Sequence, residues 1–70
     1  MAESKFYDLL TKTGNVSINI NNIASIESLN FGTRIILNVT DKNGTNISYE
    51  TNRAYAHVAS EITQKDLNQN

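Results

Sequence analysis

The sequence predicts a β-rich α+β fold: a five-stranded antiparallel meander with one C-terminal helix packed on one face. Three observations predict it. Short runs in which apolar and polar residues alternate recur through residues 6–50, the mark of half-buried strands. Gly14, Gly32 and Gly44 each fall between two such runs, where hairpin turns call for glycine. After residue 50 the period changes: Tyr55, Val58, Ala59 and Ile62 fall at i, i+3, i+4 and i+7, the single apolar stripe of a helix.

The first strand is expected at 6–11, with Lys12-Thr13-Gly14-Asn15 as its turn. The second, at 16–20, sets Val16, Ile18 and Ile20 on one side and Ser17 and Asn19 on the other. A two-residue loop at Thr13-Gly14 places Leu9 opposite Ile18 and Tyr7 opposite Ile20, apolar against apolar. Asn21-Asn22 interrupts the pattern, which resumes as a third strand at 24–29 and ends at Asn30-Phe31-Gly32. A two-residue loop at Phe31-Gly32 pairs Ile26 with Leu37 and Ala24 with Val39.

The fourth and fifth strands, 33–40 and 45–50, flank Asp41-Lys42-Asn43-Gly44. Asn-Gly by itself suggests a two-residue type I′ turn, but that register sets Val39 against Ser48. A three-residue loop, Lys42-Asn43-Gly44, sets Val39 against Ile47 and Leu37 against Tyr49. It also makes Asp41 the first residue of a type I turn and gives Gly44 the left-handed bulge position, so it is the register expected. Thr51 or Asn52 then caps a helix at 52–65. Residues 1–65 read as one small domain, and 66–70 as a polar tail.

One sheet face collects Tyr7, Leu9, Val16, Ile18, Ile20, Ile26, Ile35, Leu37, Val39, Ile47 and Tyr49, and the helix stripe covers it. The other face is mostly polar, yet Phe6, Leu10, Leu29 and Ile36 point that way, with Phe31 at a turn tip beside them. A contiguous apolar group on an outer face marks an interface, so these five are the expected protein-contact patch.

With 70 residues and no cysteine, the chain has a small core and no disulfide to reinforce it. Such domains often gain burial by oligomerising, so the expected partner is a second copy of the chain, another protein, or both. The N-terminus has no apolar core of a signal peptide, and no stretch approaches the roughly 20 apolar residues that span a bilayer. A soluble, cytoplasmic protein is expected. Frequent asparagine beside isoleucine and lysine suggests an AT-rich bacterial or phage genome, and with it the alternative of a phage-encoded inhibitor of a host protein.

Chemistry is hard to place. His57 is the sole histidine; with Glu61 it forms an i, i+4 pair on a solvated helix face, which lacks the further ligands a metal needs. Glu27 and Glu50 sit on the polar sheet face without a cleft for glycosidase-type work. The glycines are isolated, so no loop cradles phosphate. No enzyme activity, cofactor or metal is expected. The net charge of -1 argues against nonspecific binding to a nucleic-acid backbone. The alternative is an RNA-binding dimer, using Lys12, Arg34 and Arg53 for phosphates and Phe6 and Phe31 to stack on unpaired bases.

The order TKTG, VSINI-NNIASIE, GTRIILN and NGTNISYET, followed by a helix with Tyr55, Val58 and Ile62, resembles the FlbD/SwrD-type proteins over residues 6–62. That resemblance implies the same fold and a link to flagellar function with no established catalytic site. Arg53-Ala54-Tyr55-Ala56 stands where those proteins usually begin the helix Glu-Glu-Val. More distantly, the chain is similar to the carbon storage regulator family of RNA-binding dimers, which also have five strands and a terminal helix. That similarity implies an RNA contact at Arg53, between the last strand and the helix. The Leu-Thr-Arg-Arg start and Val-His-Arg-Glu-Glu segment of that family are absent.

Overall fold

A computed structural model describes residues 5–67. The order is β1 (Phe6–Thr11), β2 (Gly14–Asn19), one 3-10 turn (Ile20–Asn22), β3 (Ile23–Leu29), β4 (Gly32–Thr40), β5 (Asn46–Thr51) and α1 (Tyr55–Leu67). Every strand pairing is antiparallel, so the β-rich α+β fold stands. The strands form two sheets rather than one continuous meander: β1-β2, and β3-β4-β5. The break lies at the asparagines. The Asn19 side chain accepts a bond from Asn21 N at 2.9 Å, and a 3-10 turn forms where a hairpin would have continued the ladder. Asparagine offers the backbone this local alternative to a sheet bond.

Two turn registers differ from expectation by two residues. In the first hairpin Tyr7 faces Ile18, Leu9 faces Val16 and Thr11 faces Gly14, so the loop is Lys12-Thr13. Thr11 closes it: Oγ1 accepts from Thr13 N at 3.2 Å and donates to Gly14 O at 2.8 Å. In the second hairpin Leu29 faces Gly32 and Ile26 faces Ile35, so the loop is Asn30-Phe31 and the expected Ile26–Leu37 pair does not form. A shift of two preserves every side chain's face, because the strand period is two.

The third turn has the three-residue form. Gly44 N donates to Asp41 O at 3.0 Å, Asp41 N donates to Thr45 O at 2.9 Å, and Thr40 faces Asn46. Asp41 Oδ1 accepts from Asn43 N at 2.8 Å and from Thr45 N at 3.1 Å. Gly44 takes φ 80°, the left-handed conformation that favours glycine.

Beyond this turn β4 bulges between Ile36 and Thr40, and Ile35, not Leu37, faces Tyr49. Asn46 Nδ2 fills the interrupted ladder by donating to Leu37 O at 2.8 Å. The bulge turns Val39 outward to 38 % exposure, removing it from the expected core. A second bulge, between Ile23 and Ser25, brings Ile23 opposite Leu37 and leaves Ala24 exposed, unpaired with Val39.

The buried core is Tyr7, Leu9, Ile18, Ile20, Ile35, Leu37, Val58 and Ile62, with Val16, Ile23, Ile26, Ile47 and Tyr49 half-buried against it. It lies where the hairpin, the three-stranded sheet and α1 converge. The helix begins at Tyr55 rather than residue 52: Val58 N donates to Ala54 O at 3.1 Å, which makes Ala54 its N-cap. Thr51 is instead the buried end of β5, opposite the buried Thr33. Thr33 Oγ1 donates to Arg53 O at 2.7 Å, tying the β5–α1 connection down before the helix starts. The helix runs on to Leu67, past the expected end at residue 65. The last three residues of the expected tail, 68–70, lie outside the described residues.

Candidate protein-contact site

Three well-exposed apolar side chains, distant in sequence, line two hollows that share Phe31 and Asn52. Leu10 comes from β1, Phe31 from the β3–β4 turn and Tyr55 from the first residue of α1; they are 61 %, 54 % and 41 % exposed. Leu10, Phe31, Lys12 and Glu50 line a cavity of about 130 Å³ floored by Thr51 and Asn52. A second hollow shares Phe31 and Asn52 and adds Leu29 and Tyr55. The Lys12 ammonium stands 5.8 Å from the centre of the Phe31 ring, within cation–π range.

Gly32 positions this surface. A Cβ on Gly32 would lie 2.0 Å from Thr51 O and 2.8 Å from Asn52 Cα. The turn that carries Phe31 therefore sits directly on the end of β5.

Of the expected patch, Leu10 and Phe31 line the first hollow, and Leu29 and Phe31 the second. Phe6 and Ile36 line neither hollow. Phe6 shares the outward row of β1 with Leu10, but Asp8 stands between them and accepts a bond from the Ser17 hydroxyl. Ile36 is half-buried on the outer side of β4, beside Arg34, Ser48 and Glu50. The apolar stripe places Tyr55 on the core side with Val58 and Ile62, but as the first residue of α1 it is exposed and lines the second hollow instead.

The cations lie in three different places. Arg34 Nε and Nη2 donate to Glu50 Oε2 at 3.1 and 3.0 Å, and Nη1 donates to Glu27 Oε1 at 3.0 Å. Glu27 and Glu50 thus flank Arg34 across three strands. Glu50 first, then Glu27, hold the guanidinium more firmly protonated than usual. Arg53 Nη1 donates to Glu61 Oε1 at 3.1 Å. Lys12 alone of the three lines the Phe31 cavity.

Glu61 is a hub the sequence did not reveal beyond its His57 spacing. The Tyr7 hydroxyl donates to Glu61 Oε1 at 2.6 Å, and His57 Nε2 lies 3.1 Å from Oε2. Tyr7 is only 3 % exposed, its ring in the core and its hydroxyl at the rim. Burial, and then the bond to Glu61, push its pKa up to about 12. The Tyr7 bond, aided by Arg53 and His57, lowers that of Glu61.

These shifts set opposite pH limits. A lowered Glu61 contributes stability above the ordinary carboxylate range, lost as pH falls through its folded value. The raised Tyr7 contributes stability below pH 10.0, lost as pH rises towards 12. Tyr7→Phe is expected to cost about 1.5 kcal/mol at neutral pH, the scale of a bond to a charged group. It is also expected to flatten both arms of a melting-temperature profile taken from about pH 3 to about pH 12. Unchanged arms would show that the hydroxyl's bond to Glu61 contributes nothing.

Among the described residues, no three His, Asp or Glu side chains are grouped to hold a metal ion. No described helix is long and apolar enough to cross a membrane. No family model matches the chain, and neither a curated protein nor a solved structure matches it.

Proposed function

We propose that this chain is a small, non-enzymatic protein-binding module that works as a homo-oligomer and contacts a partner protein through the Leu10–Phe31–Tyr55 surface. The observation that carries this reading is the convergence of those three exposed side chains on one cavity-bearing surface. Single exposed apolar residues need no explanation, but a group drawn from three elements does. A cavity of about 130 Å³ has the size to take one leucine or aromatic anchor from a partner, while Lys12 and Glu50 supply a polar rim. The asparagine-rich composition and the resemblance to FlbD/SwrD-type proteins favour a bacterial or phage origin and action in the cytoplasm. RNA binding has less support, because Arg34 and Arg53 already bond to carboxylates.

The test is the double variant Leu10→Asp/Phe31→Asp. Both side chains are exposed, so its circular dichroism and thermal transition are expected to match the unmutated chain. Retention of the partner from a bacterial lysate is expected to fall on the order of tenfold or more. Equal retention by both proteins would overturn the reading.

A further inference from the structure

The sheets differ in how their edges are protected. β1 and β5 approach each other, with Leu10 and Thr11 across a cavity from Glu50 and Thr51. The outer edge of β3 carries a bulge and the charged Glu27, both common guards against strand addition. β2 has neither. Its register is regular from Gly14 to Asn19, it contains no charge and no proline, and among the described residues no strand pairs on its other side.

The backbone groups on that edge follow from one bond. Ile20 N donates to Lys5 O at 2.9 Å, which makes Lys5 and Ile20 a hydrogen-bonded pair. Bonded and open pairs alternate along an antiparallel ladder. Tyr7–Ile18, Leu9–Val16 and Thr11–Gly14 are therefore bonded within the hairpin. Asn15 and Ser17 turn both their N–H and C=O groups to the outer edge and are exposed, while Asn19 turns its N–H there and gives its C=O to the 3-10 turn that it caps.

We infer that β2 is the seam of a homodimer: two copies pair β2 against β2, antiparallel about a two-fold axis at Ser17. The hairpins then form one four-stranded sheet, β1-β2-β2-β1. This rests on the homo-oligomer reading above and names the surface that does the joining. An isologous contact needs a self-complementary strand, and β2 is one. With Ser17 on the axis, Asn15 of one copy faces Asn19 of the other on the outer side. Val16 faces Ile18 on the core side, so the apolar row runs on across the seam and covers the half-buried Val16. No charge meets its own copy. Because β1 lies between β2 and β5, the seam leaves the Leu10–Phe31–Tyr55 surface open on both protomers.

Two variants and the unmutated chain test it. Ser17→Pro removes an outward N–H that the hairpin does not use, a place where an edge strand tolerates proline. The unmutated chain is expected to sediment as a dimer, and Ser17→Pro as a 7.8 kDa monomer with a matching far-ultraviolet spectrum. The chain has no cysteine of its own, so Ser17→Cys reports the axis directly. Paired residues there lie about 5.5 Å apart, within disulfide reach, and copper phenanthroline is expected to convert the variant to a covalent dimer. Phe31→Cys is expected to stay uncrosslinked. A dimer that survives Ser17→Pro, or one that crosslinks through Phe31→Cys and not Ser17→Cys, overturns the seam and leaves the homo-oligomer standing. An unmutated chain that sediments as a monomer at about 100 µM overturns both.

Discussion

Gly32→Ala is expected to lower the stability of this domain by about 3 kcal/mol, the upper end of the usual overpacking range. The added methyl would sit 2.0 Å from Thr51 O, a backbone atom that no rotamer change can move aside. Either β4 or the end of β5 must retreat, and both carry cargo. Thr33, next in β4, is fully buried, faces Thr51 and bonds Arg53 O. A retreat therefore strains the connection that starts α1 and moves Phe31 away from Asn52. The melting temperature is expected to fall by roughly 12–24 °C, with amide shifts concentrated at Thr33 and Thr51–Arg53. Gly14→Ala is the control: nothing lies within 4 Å of its Cβ position, and only its φ of 128° resists the change. A cost of about 1 kcal/mol is expected there. Equal costs at the two glycines would show that backbone conformation, not the close approach to Thr51, is what Gly32 supplies.

Ile35→Ala is expected to cost about 4 kcal/mol, from lost apolar burial and the cavity left behind. Ile35 has no exposed surface and lies in the central strand of the larger sheet, opposite Ile26 and Tyr49 and in the same cluster as Val58 and Ile62. A domain of 70 residues has roughly 4–10 kcal/mol in total, so this one change brings it near unfolding at room temperature. Ile36→Ala, next along the strand on the half-buried outer side, is expected to cost about 1 kcal/mol. Urea denaturation of the two variants, compared by midpoint at equal slope, checks both figures. Similar midpoints would mean that the outer side of β4 is as well covered as the core side.

These two neighbours also show how much of the fold was legible. The alternation in residues 33–37 placed Ile35 inside and Ile36 outside, and the structure agrees, because a pleated strand allows no other arrangement. The turn at Asp41–Gly44 was legible for a similar reason: matching apolar rows excluded the two-residue loop, and Asp41 and Gly44 suited the longer one. Val39 was misplaced because a bulge breaks the alternation, and the bulge is held by Asn46 bonding to Leu37 O, a contact no sequence window contains. The candidate site was half legible. Leu10, Leu29 and Phe31 read as outward apolar residues, but the two hollows they line on either side of Asn52 depend on the packing of the hairpin against the end of β5. Tyr55 lines the second of these hollows because α1 starts only at residue 55, past the Arg53 carbonyl that Thr33 bonds.

The sequence by itself determined the five strands, the terminal helix, the sheet faces and the type of the third turn. Each of these depends on local backbone geometry and a short hydrophobic period. Only the tertiary structure decided that the strands divide into two sheets and that two hairpins pair two residues away from the expected register, each loop moving by one. It alone decided that Tyr7 and Arg53 join His57 on Glu61, and that among the described residues no strand pairs on the outer edge of β2. A two-residue slip leaves every face unchanged, so the hydrophobic pattern cannot choose between such registers. Long-range bonds and close backbone approaches, such as Gly32 against Thr51, make that choice once the chain has packed.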